Sequence, residues 1–391
     1  MKISCKKCCV LLSLGLCTFS TVFSQFKIKF RILSQPTTHA NDSIFAAGNF
    51  NNWQPAKSEY IFTKEGDFYS LQMNDVPAGI IEFKCTRGGW EKSECATGGS
   101  NIDNHLVKVS SDTVIDFSIE AWKDDFPTAP KQHTASPNVH IVDTAFVMPQ
   151  LGTKRKIWIY LPKGYATSKK RYPVMYLQDG QNIFDDYTSY AGEWGVDESL
   201  DSLIKKGAPA CIVVGIDNGP ERMQEYNPYE FQQYGKGKGD QYVDFLAKTL
   251  KPFIDKHYRT LSSSTNTIIA GSSMGGLIAY YAMIKYPNVF DNGGIFSPSF
   301  LAAEQIKALT DSGGNKLSGK LFFYMGGLEP DEDLEEMNKV IQKLGEKSSA
   351  MIYAVVDAEG RHHEKSWRKW FIAFYKFIMA DGFNNVTELE K

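Results

Sequence analysis

The chain of 391 residues lacks several things, and each lack narrows what it can be. It has no excess of one charge sign: 43 Lys and Arg stand against 45 Asp and Glu, a formal net charge of -2. That leaves no basic footprint for nucleic acid. It also lacks a long apolar run. Val10 to Phe23 follows the basic start Lys2, Lys6 and Lys7 and is too short for a stable transmembrane helix. This pattern reads as an export signal over residues 1–24, with the mature chain starting at Gln25 and no integral membrane segment once the signal is removed. A periplasmic or secreted location follows. Lipidation at Cys17 is disfavoured, because Leu16 before it is bulkier than a lipoprotein signal normally accepts.

Cysteine is scarce. Of seven, Cys5, Cys8, Cys9 and Cys17 leave with the signal, and Cys85, Cys95 and Cys211 remain. No zinc-like Cys/His spacing appears, so no metal and no cofactor is expected. In an oxidising compartment Cys85 and Cys95 could bridge a hairpin. Cys211 opens an apolar strand and reads as a buried free thiol. Histidine is scarce too: there are seven, and only His362 and His363 follow Ser273.

What is present divides the chain in two. Residues 26–122 alternate polar and apolar in short runs, such as 27–32, 68–73, 80–85 and 113–117, with turn signals between them. This pattern predicts a small all-β sandwich. Residues 123–137 are a linker by composition, with Pro127, Pro130 and Pro137. From 138 to 391, apolar strands alternate with helices, which is βαβ order and implies a mainly parallel α/β sheet. Within it, residues 242–258 read as one helix carrying Pro252. There is no internal repeat.

The most informative segment is Gly271-Ser272-Ser273-Met274-Gly275, between the apolar run 267–270 and a helical run from Gly276. Strand, G-x-S-x-G, helix is the setting of a nucleophile elbow. A turn this tight excludes side chains at its flanks, hence glycine at 271 and 275. The helix that follows points its first N–H groups at an oxyanion forming on Ser273. On this scaffold the order is Ser, Asp or Glu, then His. The base is therefore His362 or His363, after the apolar run 351–356. The acid belongs to the loop after strand 320–325, where Glu329 is nearest the strand. Asp331, Glu332 and Asp333 suit an acidic helix N-terminus. One oxyanion donor is the Met274 N–H. The second is assigned to the Gln181 N–H, in the loop after strand 172–177, where Gly180 lets the backbone approach.

With these residues placed, the second domain resembles the esterase D and enterochelin-esterase-like branch of the α/β hydrolases, which includes family 1 carbohydrate esterases. The resemblance rests on the runs 176–182, 193–197 and 215–219, on Arg222, Glu225 and Tyr226, on 271–276 and 296–300, and on Gly360-Arg361-His362-His363-Glu364 with Trp367. Its G-x-H-x-E-x-x-W pattern implies that His362 is the base and Glu329 the acid. It also implies substrate contacts from Arg222, Glu225 and Trp194. Leu301 stands where many relatives carry Trp. The N-terminal domain is similar to starch-binding-type sandwiches of families 20 and 48, through the run 48–53, Lys84, Trp90 and Asn104. That similarity implies that Trp53 and Trp90, with Lys84 and Asn104, meet a carbohydrate; the tryptophans could equally plug the sandwich. The expected function is an exported serine carboxylic-ester hydrolase that deacylates an acylated carbohydrate, such as a feruloyl or acetyl ester. The alternatives are siderophore ester hydrolysis, acyl transfer, or an inert hydrolase domain on a glycan-binding protein.

Overall fold

The computed structural model describes residues 25–51, 53–127, 131–190, 192–230 and 235–380. The expected export signal and its four cysteines lie outside the described residues. The chain falls into two compact units, residues 1–128 and 129–391.

The first unit is all-β, as its alternating pattern predicts. Its strands are β1 (Gln25–Ser34), β2 (Phe45–Gly48), β3 (Thr63–Glu65), β4 (Phe68–Pro77), β5 (Gly79–Thr86), β6 (Glu94–Cys95), β7 (His105–Val109), β8 (Thr113–Ser118) and β9 (Ala121–Trp122). One sheet runs β3-β4-β1-β8, a second β2-β5-β7, and β6 and β9 form a short pair. In β1 the residues Ile28, Phe30 and Ile32 point inward while Lys29 and Arg31 pair outward with Glu65 and Asp116. Phe30 meets Phe83 of β5 edge to face, with ring centroids 4.8 Å apart, so the core lies between the two sheets. Burying a phenylalanine in this way contributes roughly 2–3 kcal/mol.

Cys85 and Cys95 are separate buried thiols rather than the bridge allowed for above. The Cys85 side chain belongs to the sandwich core, and the residue that reaches back to its backbone N–H is Glu94, at 2.6 Å. Cys211 is a buried free thiol as expected, its pKa pushed up to about 12 by burial.

The second unit is built on an 8-stranded sheet of order β10-β11-β13-β12-β14-β15-β16-β17. Its strands are β10 (Val139–Met148), β11 (Thr153–Tyr160), β12 (Val174–Gln178), β13 (Ile212–Ile216), β14 (Thr267–Ser272), β15 (Asn292–Phe296), β16 (Lys320–Gly326) and β17 (Met351–Asp357). β11 pairs antiparallel with both β10 and β13; from β13 through β12 to β17 all neighbours are parallel. The C-terminal ends of those parallel strands therefore share one edge, and the loops leaving that edge can meet. The helices are α1 (Val196–Lys205), α2 (Arg222–Glu225), α3 (Gly239–Phe245), α4 (Lys251–His257), α5 (Met274–Lys285), α6 (Ile306–Gly313), α7 (Asp331–Lys347) and α8 (Glu364–Met379). Every residue of α5 from Met274 to Ile284 is buried, so this helix is wrapped on all sides. Residues 239–257 form one continuous helix with a π turn at Leu246–Leu250 just ahead of Pro252. The widened turn takes up the backbone carbonyl that proline cannot serve.

The predicted linker is shorter than its composition suggests. Lys123–Asp125 form a 3-10 turn of the first unit, tied by Arg87 to Asp124. Residues 131–137 are strapped to the second unit. Lys131 Nζ donates to the Ser189 carbonyl at 2.6 Å, Thr134 N–H to Asp185 at 3.1 Å, and Ser136 N–H to Asp197 at 2.6 Å. Residues 128–130 between them lie outside the described residues.

Candidate active site

Ser273 sits at the turn between β14 and α5 with φ 59° and ψ -126°, a conformation L residues rarely adopt. The surroundings hold it there. Its N–H donates to the Phe296 carbonyl at 2.9 Å, and its own carbonyl accepts from Gly276 and Leu277. A Cβ on Gly271 would lie 2.7 Å from the Gly275 backbone, and one on Gly275 would lie 3.2 Å from Asp179 Oδ2. Gly271 is a steric necessity, and at Gly275 a side chain would crowd Asp179 and Gln178. The result is a half-buried hydroxyl that is not folded back on its own helix and lies 3.2 Å from Ser299 Oγ.

Glu329 follows β16 and is 4 % exposed. Three donors converge on its carboxylate. Ser297 Oγ–H and Gly326 N–H reach Oε1 at 2.6 and 2.8 Å, and His362 Nδ1 reaches Oε2 at 2.7 Å. The Glu329 and His362 loops are also laced together by backbone bonds, Gly327 N–H to the Asp357 carbonyl and Leu328 N–H to the Gly360 carbonyl. A Cβ on Gly360 would fall 2.2 Å from the Tyr324 hydroxyl, which explains that glycine. The His362 ring stands edge-on to Trp367 at 5.2 Å, and Trp367 Nε1–H donates to Ser297 Oγ at 3.0 Å. His363 has a different job. It is the N-cap of α8, and its Nδ1 accepts from Lys365 N–H at 3.1 Å. Asp331, Glu332 and Asp333 form the first turn of α7, as the acidic-N-terminus reading expected.

Gln181 lies in the 3-10 turn Gly180–Asn182 directly after β12, preceded by Asp179 in the left-handed region. A Cβ on Gly180 would lie 2.9 Å from Asp217, so the backbone does pass closely here. Met274 is the first residue of α5.

The chain matches, over residues 149–378, the model of a family described as "Putative esterase". That is more than half of its length. The chain belongs to this esterase family. Among curated relatives, an endo-1,4-beta-xylanase/feruloyl esterase of Xylanibacter ruminicola is 26% identical over 59% of this chain and 30% of its own. An alpha-amylase of Niallia circulans is 33% identical over 25% of this chain and 8% of its own. The chain thus spans less than a third of either relative. The enterobactin esterase of Shigella flexneri, solved with enterobactin, shares the fold at 16% identity and TM-score 0.54, over 90% of this chain and 92% of its own.

Other residues expected to meet substrate in this esterase are turned to structural work. Trp194 is buried and packs on Phe296 and Trp367 at 5.0 and 5.7 Å. Glu225 is buried in an ion pair with Arg155. Burial keeps both from substrate, since their polar or apolar surfaces are already matched inside. Arg222 directs Nε and Nη2 onto the two oxygens of Asp179, each at 2.8 Å, and Asn218 Nδ2 joins them at 2.6 Å. It clamps the turn that carries Gln181. In the first unit, Trp53 and Trp90 are half-buried neighbours with ring centroids 6.2 Å apart. Lys84 Nζ is committed to the Ile102 carbonyl at 2.6 Å, and Asn104 Nδ2 donates to Glu82 at 2.8 Å.

Two residues were missed. Ser297, with φ 40°, is the bridge between Trp367 and Glu329, and Ser299 faces the Ser273 hydroxyl. The only sequence signal was their membership of the run 296–300. Their partners are far along the chain.

Proposed function

We propose that this esterase is an exported serine hydrolase in which Ser273 attacks the ester carbonyl, His362 is the general base and Glu329 orients it. The observation that carries the reading is the 2.7 Å contact between His362 Nδ1 and the thrice-bonded Glu329 carboxylate, together with a serine held at positive φ in the elbow turn. With Nδ1 engaged by the carboxylate, the proposed shuttle runs through Nε2, which takes the Ser273 proton and later returns it to the alcohol. Glu329 fixes the tautomer and stabilises the imidazolium. Met274 N–H at the start of α5 and Gln181 N–H are the proposed oxyanion donors, aimed where charge develops. Water then hydrolyses the acyl-enzyme by the same proton path in reverse.

The substrate class is an acylated carbohydrate. Support comes from the similarity to a xylanase/feruloyl esterase and to an alpha-amylase, and from the adjacent Trp53 and Trp90 rings, a pair suited to stacking on sugars. Because Lys84 and Asn104 already hold internal partners, the tryptophans carry that proposal. Affinity electrophoresis through starch and xylan, with Trp53→Ala and Trp90→Ala as controls, tests it. Retardation lost in either variant is the expected result.

Ser273→Ala tests the chemistry. Turnover should drop by at least roughly 10⁴-fold with folding intact. Wild-type turnover in that variant would sink the serine reading. Methyl ferulate, acetylated xylan, p-nitrophenyl acetate and a catecholate siderophore ester, compared by kcat/KM, identify the acyl group. Preference for the siderophore ester would replace the carbohydrate reading.

A further inference from the structure

Outside the triad, a second group of carboxylates has no role in the mechanism above. Glu193, Asp197 and Glu198, at the start of α1, each offer an oxygen, and these oxygens lie within 4.8 Å of one another. Asp197 is wholly buried and Glu193 is 8 % exposed. Glu193 Oε2, Asp197 Oδ1 and Glu198 Oε2 are all buried and have no hydrogen-bond partner among the described residues. Three neighbouring acids therefore each carry a buried oxygen without a hydrogen-bond partner among the described residues.

Such an arrangement is costly unless something positive sits between the oxygens, since an unpaired buried charge costs several kcal/mol. The positive groups nearby do not suffice. Arg368 comes no closer than 3.8 Å, to the opposite oxygen Glu193 Oε1, and is half exposed. The N-terminal dipole of α1 is worth only about 1 kcal/mol near each acid. Ser136 N–H serves the other Asp197 oxygen, at 2.6 Å, and leaves Oδ1 bare.

We propose that Glu193, Asp197 and Glu198 bind one calcium ion, which staples residues 131–137 to the start of α1. The donors are all hard carboxylate oxygens, the ligand set of Ca²⁺ and not of a thiol- or imidazole-seeking metal. Opposed ligands of Ca²⁺ stand up to about 5 Å apart, whereas Mg²⁺ spans only about 4 Å. Mg²⁺ also dehydrates reluctantly and seldom sits in an all-protein cage. The expectation of no metal drawn from the sequence concerned Cys/His spacing, which these carboxylates do not follow. A carboxylate must be deprotonated to hold the ion, so protons compete with it and binding weakens on acidification. The site also touches the catalytic edge. Trp194 N–H and Val196 N–H donate to the carbonyls of Asn182 and Ile183 at 2.8 and 3.0 Å, one and two residues past Gln181.

The test uses the full chain, stripped with EDTA and dialysed. Calorimetric titration with CaCl2 should show one ion bound per chain, and the melting temperature should rise with the ion. Trypsin should cleave after Lys131 more slowly in calcium than in EDTA. Glu198→Gln, at a half-buried position that tolerates an amide, should weaken calcium binding about tenfold or more. MgCl2 should bind more weakly than CaCl2. Ser273→Ala should bind calcium as wild type does. No heat and no melting shift up to about 10 mM CaCl2, well above the weakest extracellular calcium sites, would overturn the proposal. So would equal affinity in Glu198→Gln.

Discussion

At the scale of single residues, the two oxygens of Glu329 set the terms. One holds His362, and the other is held by Ser297 and the Gly326 backbone. Glu329→Gln keeps the shape but offers an N–H where a carboxylate accepted. It favours the wrong imidazole tautomer, and kcat on a simple ester should drop on the order of 10⁴-fold. The neighbouring histidines separate cleanly. His362→Ala should nearly abolish turnover, whereas His363→Ala removes an N-cap contact outside the proposed triad. That loss should cost about 1 kcal/mol in a melt and leave kcat near wild type. Activity lost in His363→Ala and kept in His362→Ala would reverse the assignment. Ser297→Ala leaves a buried indole N–H without a partner and removes one of the two donors to Glu329 Oε1, a loss of roughly 1–3 kcal/mol. It should lower kcat and leave KM unchanged, because Ser297 positions the acid and touches no substrate.

At the scale of elements, the strap before β10 is as much a part of the hydrolase as any helix. Beyond its bonds to Ser189, Asp185 and Asp197, His133 Nδ1 pairs with Asp185 at 2.7 Å and its ring stacks on Tyr187 at 4.1 Å. A chain that starts at Asn138 discards all of these and strips donors from Asp185 and Asp197. A chain that starts at Lys131 keeps them. Hydrogen bonds to charged groups contribute about 1.5–3 kcal/mol each. The Asn138 chain should therefore melt roughly 5–10 °C below the Lys131 chain by calorimetry. Equal melting temperatures would return residues 131–137 to the status of a loose tether. On a small soluble ester the Lys131 chain should match the full-length rate, since the first unit contributes none of the proposed triad.

At the scale of the whole molecule, buried acids shape the pH dependence of stability. Burial, helped by the nearby charge of Asp179, pushes Asp217 up to about 6 even though it accepts from Trp158 Nε1. Burial, with Glu329 and Glu332, pushes Asp333 up to about 6 against the opposing pull of His362. Both ionise near 4 in an unfolded chain. Between about pH 4 and pH 6 the folded state holds more protons than the unfolded one, so stability falls as pH rises through that window. Asp244 works the other way. Partial burial acts upward, but hydrogen bonds from Lys248, Tyr286 and Lys285 bring it down to about 2. Its contribution is present above about pH 4 and is lost as pH falls toward 2. Urea melts in EDTA should therefore place maximum stability near pH 4 to 5, below neutrality. Asp217→Asn should flatten the decline on the neutral side. A maximum at pH 7 or above would contradict the burial argument.

Much of this protein was legible along the chain. Period-two alternation marked the sandwich strands, and continuous apolar runs marked the buried parallel strands. The elbow announced itself through Gly271 and Gly275, whose missing side chains are a local steric demand that any reader of the chain can infer. The loops after the strands at 320–326 and 351–357 could be named as carriers of acid and base, because chain order and strand ends are one-dimensional facts. What the chain could not decide is who meets whom at the shared edge of the sheet. The choice of His362 over His363 rests on a Trp367 ring and a carboxylate 33 residues away. The role of Ser297 rests on partners 32 and 70 residues distant. Trp194, Glu225 and Arg222 look functional in sequence because polar and aromatic residues near motifs invite that reading. Only the packing reveals that their contacts are internal. The acidic trio beside α1 reads as ordinary helix-start acidity until folding brings it together and buries three unpartnered oxygens. Local sterics and periodicity act between near neighbours and so are written in order along the chain. Burial and long-range pairing exist only once the sheet has brought distant loops to one edge.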